Sequence, residues 1–122
     1  MLAEMVNVRQ RPEEGYRRWF SDDEFDLIVW YTHDRELLGF QLCYDKRGTE
    51  RAFTWKTDGS FIHSRVDAGD TILSGMKRTA VLVADGTPQS EIVASTFRAA
   101  ARDIEPAIAE MVYERLLKYP EA

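Results

Sequence analysis

The side chains best suited to nucleophilic, acid–base or metal chemistry are few in this sequence. It contains two histidines, His33 and His63, and one cysteine, Cys43. They match no zinc, calcium or metalloprotease spacing such as CxxC or HExxH. On the strand register that the sequence favours, Cys43 and His63 share one face of a sheet but lie two strands apart, about 10 Å or more. We therefore expect no metal, no cofactor and no catalytic cysteine–histidine pair.

Other catalytic signatures are missing as well. Gly69 and Gly75 fit neither a GxGxxG nor a GxxxxGK phosphate loop, and Ser74 does not lie in a GxSxG elbow. Carboxylates cluster at predicted turns, as in Asp22-Asp23-Glu24, where they usually act as solvated turn formers. This pattern leaves enzymatic activity open and favours a non-catalytic protein.

Arginines alternate with aromatic residues near the N-terminus. Such a mixture can stack bases and neutralise phosphates of single-stranded nucleic acid. However, the chain has a formal net charge of −5, and Glu13 and Glu14 lie within the same segment. Since nucleic-acid binding depends on positive charge, we do not expect a nucleic-acid partner. The residues concerned are Arg9, Arg11, Tyr16, Arg17, Arg18, Trp19 and Phe20.

The chain has 122 residues, of which 44% are hydrophobic and 30% charged. This composition fits one domain over residues 1–122. In the alternative, residues 1–13 form a loosely ordered N-terminal arm of that domain. The single cysteine needs no oxidising compartment, and the N-terminus does not resemble a signal peptide. No segment approaches the ~20 apolar residues of a membrane span. We therefore expect a cytoplasmic protein that does not bind membranes.

Aromatic residues are concentrated in the first half of the chain. Eleven of the fourteen lie between Tyr16 and Phe61, and aromatic residues favour strands. The second half is richer in residues that favour helices. We expect an α+β fold: an antiparallel β-meander of four to five strands over about residues 16–66, and helices at about 88–102 and 105–118 packed on one sheet face.

Local signals refine the second half. Thr87-Pro88 is the predicted start of the first helix, because a hydroxyl caps it and proline suits the first turn. Four apolar residues at 80–83 carry no helical periodicity and favour an extended segment. The predicted buried helix positions are Ile92, Val93, Thr96, Phe97, Ala100, Ile104, Ile108, Met111, Val112, Leu116 and Tyr119.

Turn sequences predict the strand register. Asp58-Gly59 is a typical two-residue hairpin turn, and a four-residue loop over 33–36 aligns apolar residues only. The predicted pairs are Trp55 with Ile62, Phe53 with Ser64, Tyr31 with Leu38, Val29 with Phe40, Leu27 with Leu42, Leu42 with Phe53, and Phe40 with Trp55. The predicted core face contains Leu27, Val29, Tyr31, Leu38, Phe40, Leu42, Phe53, Trp55, Ile62 and Val66.

The register of an earlier strand over residues 16–20 stays open. A three-residue loop would place Trp19 on the core face. A four-residue loop would place Phe20 and Tyr16 there instead.

The opposite face of the sheet is the first candidate site. It is too apolar to be simply hydrated and too polar to be a second core. We expect it to bind a protein partner or a second copy of the chain, or else to be covered by residues 1–13 or 67–86. The residues proposed for this interaction face are Trp30, Gln41, Lys56, Phe61, His63 and Arg65.

A second candidate is a pocket between the sheet and the helices. Arg51 is the single charge on the predicted core face, and with Tyr44 and Trp55 it would bind an anionic small molecule or substrate. The alternative is an edge position at which the guanidinium reaches water.

Overall fold

The computed structural model describes residues 1–6, 8, 10, 15–46, 48–67, 81–84 and 89–121. Within them the chain forms one antiparallel sheet whose seven strands lie in sequence order, followed by two helices. The strands are β1 (Ala3–Glu4), β2 (Tyr16–Ser21), β3 (Asp26–Tyr31), β4 (Leu37–Tyr44), β5 (Arg51–Lys56), β6 (Phe61–Asp67) and β7 (Val81–Ala84). The helices are α1 (Ser90–Ala100) and α2 (Pro106–Lys118).

The α+β meander with C-terminal helices is confirmed. The sheet has more strands than expected, because β1 pairs with β2 and β7 pairs with β6. Strand β7 confirms the extended segment expected at 80–83, displaced by one residue. The predicted helix start at Thr87-Pro88 lies outside the described residues.

The β3–β4 register is confirmed along most of its length, with one correction. Leu27 pairs with Leu42 and Val29 with Phe40, but Tyr31 pairs with Leu37 rather than Leu38. The connecting loop has three residues, since the amide of Thr32 donates to the carbonyl of Glu36 at 2.8 Å. Its third residue, Arg35, has φ 66°, which is typical of a three-residue hairpin loop.

A β-bulge offsets the loss of one loop residue, so the predicted register is kept over the rest of β3 and β4. The register shifts between Trp30 and Tyr31, which leaves Leu38 as the extra residue opposite them. Leu38 was therefore wrongly placed in the core, and its side chain is 41% exposed. Beyond the bulge the β3–β4 pairs are those expected, and the predicted β4–β5 pairs are also confirmed.

The β5–β6 register is one residue away from the prediction. The Asp58-Gly59 turn is part of a three-residue loop, because the amide of Lys56 donates to the carbonyl of Ser60 at 2.9 Å. Gly59 supplies the positive φ of 102° at the third loop position. Here no bulge compensates, so Trp55 pairs with Phe61 instead of Ile62.

The open question about β2 is also answered. Ser21 pairs with Asp26 across a four-residue connection, and Phe20 faces Leu27 in the core. The Asp22 carboxylate accepts hydrogen bonds from the amides of Glu24 and Phe25 within this connection. Trp19 therefore lies on the opposite face of the sheet.

Both helices cover the face that carries Leu27, Val29, Phe40, Leu42, Phe53 and Trp55. Buried helix residues are Ala94, Phe97, Ile108, Val112 and Leu116. Met111 and Tyr119 are partly buried against the same core, whereas Ile92 and Thr96 are exposed, contrary to prediction. The side chain of Val66 lies outside the described part of the structure.

Candidate functional site

The one-residue change in β5–β6 register separates the residues of the first candidate face. Trp30, Gln41 and Lys56 share one face by their pairing through β3, β4 and β5. Phe61, His63 and Arg65 were wrongly placed with them. Phe61 pairs with Trp55 and His63 with Phe53, so both lie on the helix-covered face. We call the face that carries Trp30, Gln41 and Lys56 the second face.

Ile62 and Ser64 lie on the second face, where the sequence predicts Phe61 and His63. Ile62 lies opposite Thr54 and is 54% exposed, although it was expected in the core. Ser64 lies opposite Ala52, and both are buried. The second face therefore has an exposed half and a shielded half.

The shielded half contains Cys43, Ala52 and Ser64 in one row across three strands. Burial raises the pKa of the Cys43 thiol to about 11, so the thiol is protonated at neutral pH and is a weak nucleophile. Beside this row, Lys46 Nζ lies 3.1 Å from Asp26 Oδ1, which also accepts a hydrogen bond from Ser21 Oγ at 2.6 Å. This half therefore combines a buried row of small side chains with an ion pair.

A pocket of about 500 Å³ lies at the exposed half. It is found where β2 and β4 begin and β3 and β5 end, so residues from four strands, from the β5–β6 loop and from the segment before β2 meet there. Its lining residues are Gln10, Gly15, Tyr16, Arg17, Trp30, Leu38, Lys56, Thr57 and Asp58. We call it the Trp30 pocket.

Two residues of the pocket lining, Trp30 and Lys56, flank Gly39 in one row across three strands. Trp30 pairs with Gly39 and Gly39 pairs with Lys56, so the aromatic ring and the amine lie two strands apart. Lys56 Nζ nevertheless lies 5.9 Å from the centre of the Trp30 ring, because its side chain reaches across the glycine. A Cβ on Gly39 would lie 2.2 Å from the carbonyl oxygen of Trp55, so no larger residue fits there.

Gln10 closes the outer rim of the pocket. Its amide nitrogen donates to the carbonyl of Arg17 at 2.8 Å, and its amide oxygen accepts from the Arg17 amide at 2.9 Å. The side chain thereby pairs with the edge of β2 as a neighbouring strand would. On the other side of β2, the Arg35 guanidinium carbon lies 3.7 Å from the centre of the Tyr16 ring.

The structure does not bring the second candidate set together as one site. Tyr44 and Arg51 pair across β4 and β5, but Trp55 lies four residues further along β5, about 13 Å away. Trp55 is buried, with the Arg115 guanidinium carbon 4.5 Å from its ring centre. Arg51 Nη1 lies 3.6 Å from Asp45 Oδ2, so its charge faces a carboxylate.

Tyr44 instead meets a residue from the other predicted set. Its hydroxyl lies 2.5 Å from His63 Nε2, and its ring stacks on Phe53 at 5.7 Å. The ring of Tyr119, just beyond α2, packs edge-on against Phe53 at 5.2 Å. His63 is thus a buried, hydrogen-bonded part of an aromatic core cluster.

The N-terminal arginines also separate. Arg17 and Arg18 point to opposite faces of β2, and Arg18 Nη2 lies 2.7 Å from Glu4 Oε1. The Arg17 guanidinium carbon lies 6.0 Å from the ring centre of Trp19 on the second face. Arg9 and Arg11 lie outside the described residues. The described arginines therefore do not form one basic stripe.

Comparisons with protein-family models, with curated proteins and with solved structures give no match to this chain. In the described part of the structure, no group of three or more His, Cys, Asp or Glu side chains could hold a metal ion. Neither of the two described helices has the length and apolar character needed to cross a membrane.

Proposed function

We propose that this chain is a non-catalytic binding module whose recognition site is the Trp30 pocket. The observation that carries the proposal is the pocket itself, which collects Trp30, Leu38 and Lys56 at one end of the second face. Its volume of about 500 Å³ is typical of small-molecule sites, which combine apolar walls with a few polar groups.

The exposed apolar groups support this assignment. The β3–β4 bulge turns Leu38 out of the core and into the pocket lining, at the cost of exposing a large apolar side chain. Trp30 is half-buried beside it, and the Lys56 amine is exposed. A ligand that covered Leu38 and part of Trp30 would gain about 25 cal/mol for each Å² of apolar surface removed from water.

The polar groups of the pocket are suited to binding rather than catalysis. The lining contains no histidine and no cysteine. Its carboxylate, Asp58, accepts hydrogen bonds from the Ser60 hydroxyl at 2.7 Å and from the Ser60 amide at 3.0 Å. These bonds lower the pKa of Asp58, so the carboxylate is a weak base at neutral pH.

The test is a thermal-shift panel of aromatic and aliphatic carboxylates, nucleoside monophosphates, amines and sugars at millimolar concentration. A compound at about ten times its Kd raises the free energy of unfolding by about 1.4 kcal/mol, and the midpoint by roughly 4 °C. We expect at least one class to do so with the unmodified chain. We expect Leu38→Ser to abolish the shift.

Ile62→Ser is the matched control. It also removes an exposed apolar side chain from the same face, but Ile62 is not part of the pocket lining. This variant should keep the full shift. A panel that stabilises none of the proteins, or stabilises Leu38→Ser as much as the unmodified chain, would contradict the proposal.

A second candidate function is self-association through the second face, as the sequence suggests. The observation in its favour is Ile62, which is exposed at the middle of a sheet face opposite Thr54. Sedimentation velocity of the unmodified chain and of Ile62→Ser tests it. A dimer that Ile62→Ser dissociates supports this function, and a monomer in both cases excludes it.

A further inference from the structure

We infer that the Trp30 pocket binds an extended peptide segment, whose backbone pairs with β2 at Arg17 in place of the Gln10 side chain. This inference rests on the proposed function and names the class of ligand that the pocket takes. The observation behind it is the hydrogen bonding of Gln10, because this side chain already forms the contacts that a peptide residue would form.

The outer edge of β2 is only partly covered by a neighbouring strand. Strand β1 pairs with the last two residues of β2, and the amide of Met5 donates to the carbonyl of Trp19 at 2.8 Å. At Arg17, two residues further back along β2, the partner in the described part of the chain is the Gln10 side chain. An edge without a neighbouring strand is a template for pairing with another chain.

The Gln10 carboxamide mimics one residue of an antiparallel strand. In a hydrogen-bonded antiparallel pair, two opposite residues exchange both of their N–H···O=C bonds. The amide group of Gln10 forms both of these bonds with Arg17, at 2.8 and 2.9 Å. A peptide residue opposite Arg17 would therefore form the same two hydrogen bonds with its backbone.

Gln10 can be displaced without opening the apolar core. Its side chain is exposed and is not part of the core cluster. Holding it against Arg17 costs rotamer freedom, which is regained when the side chain is released. Because the peptide replaces both hydrogen bonds, the backbone of Arg17 keeps its partners. Gln10 is thus an intramolecular competitor that an extended peptide displaces.

The pairing also sets the direction of the peptide side chain. Directly opposite residues on adjacent strands share one face, and Arg17 pairs with Trp30 on the second face. The peptide residue opposite Arg17 therefore projects onto this face, at the rim of the pocket that Gln10, Arg17 and Trp30 line. An aromatic side chain suits this position, because it can lie along the Arg17 side chain and extend towards the Trp30 ring.

The experiment measures by calorimetry the affinity of an acetylated and amidated Thr-Phe-Thr tripeptide, which is also added to the thermal-shift panel. Two derivatives carry an N-methyl group, one at Phe and one at the second Thr. With Phe opposite Arg17, the Phe N–H points to β2 and the N–H of the following Thr points away from it. N-methylation at Phe should weaken binding about tenfold, and N-methylation at the second Thr less than about twofold.

Gln10→Ala should strengthen binding of the tripeptide about fivefold, because it removes the competitor from the edge of β2. Gln89→Ala is the matched control. Gln89 is an exposed glutamine before α1 whose side chain forms no cap hydrogen bond, and it lies outside the pocket lining. This variant should leave the affinity unchanged.

Equal weakening by the two N-methyl groups, or an affinity that Gln10→Ala leaves unchanged or lowers, would overturn the inference. If another compound of the panel binds, Leu38→Ser abolishes its binding and the tripeptide does not bind, the peptide inference is wrong and the proposed function stands. If no compound of the extended panel binds, both are wrong.

Discussion

Single side chains on the second face differ in what they contribute. Leu38 and Ile62 are both exposed apolar residues, but only Leu38 lies in the pocket lining. Gly39 contributes by lacking a side chain, since a Cβ there would lie 2.2 Å from the carbonyl oxygen of Trp55 and would disturb the pairing of β4 with β5.

The ion pair between Glu4 and Arg18 is the clearest electrostatic contact at the residue scale. Arg18 donates to both carboxylate oxygens of Glu4, at 2.7 and 2.8 Å. These hydrogen bonds lower the pKa of Glu4 below its ordinary value of 4.5. A lowered folded-state pKa stabilises the folded protein above the unfolded-state pKa, and this stabilisation is lost as the pH falls through the folded-state pKa.

We therefore expect Glu4→Gln to lower the free energy of unfolding at pH 7 by about 0.5 kcal/mol, since the pair is partly exposed to solvent. The difference from the unmodified chain should shrink below pH 4.5 and disappear once Glu4 is protonated in the folded state. Urea unfolding across this pH range measures it. Glu114→Gln, on the exposed side of α2, is the control; a loss that does not depend on pH would refute the assignment.

At the scale of elements, the two three-residue hairpin loops decide which side chains reach the core. The β3–β4 loop is compensated by a bulge at Leu38, and the β5–β6 loop is not. The uncompensated loop turns Phe61 inwards, where its ring contacts Phe53 at 6.0 Å and Tyr119 at 4.9 Å. It turns Ile62 outwards.

This register predicts a large loss of stability for one truncation and almost none for its neighbour. Phe61→Ala should lower the free energy of unfolding by about 2–3 kcal/mol, because it removes ring packing against the core. Ile62→Ala should change it by less than about 0.5 kcal/mol. Urea unfolding of both variants checks this. If Ile62→Ala lowered the free energy of unfolding more than Phe61→Ala, the two-residue turn would be correct and the observed register would be refuted.

The sequence predicts the β3–β4 and β4–β5 registers well, because only one alignment of these strands buries all of their apolar residues on one face. Shifting β4 by one residue would expose Phe40 and Leu42, so their pairs with β3 and β5 follow from burial alone. The hairpin ends are different. Asp-Gly fits both a two-residue turn and the end of a three-residue loop, and no local pattern near Arg35 announces the bulge at Leu38.

The candidate site is predictable only in part, for the same reason. Trp30 and Lys56 follow from pairing on strands whose register is well determined. Leu38 depends on the bulge, and Gln10 pairs with Arg17 from a segment that has no strand pattern in the sequence. The predicted positions of Phe61, His63 and Arg65 depend on the β5–β6 register. Because that register differs by one residue from the prediction, all three side chains change face.

At the scale of the whole molecule, the two faces of the sheet serve different purposes. One face is covered by α1 and α2 and contains the apolar core. The other combines a shielded half around Cys43 and Ala52 with an exposed half that carries the Trp30 pocket. The chain is acidic overall, whereas the pocket lining contains two cationic side chains, Arg17 and Lys56, and one carboxylate, Asp58.

The three tryptophans allow the most direct test of the Trp30 pocket, because each reports on a different place. Trp30 lines the pocket, Trp19 lies elsewhere on the second face, and Trp55 is buried against the helices. The measurement is an NMR titration of the three indole N–H signals with the compound of the thermal-shift panel that stabilises the chain most. A saturable shift of the Trp30 signal, with Trp19 and Trp55 nearly unmoved, is the predicted result; a shift that begins at Trp19 or Trp55, or a Trp30 signal that no bound ligand moves, would contradict the account.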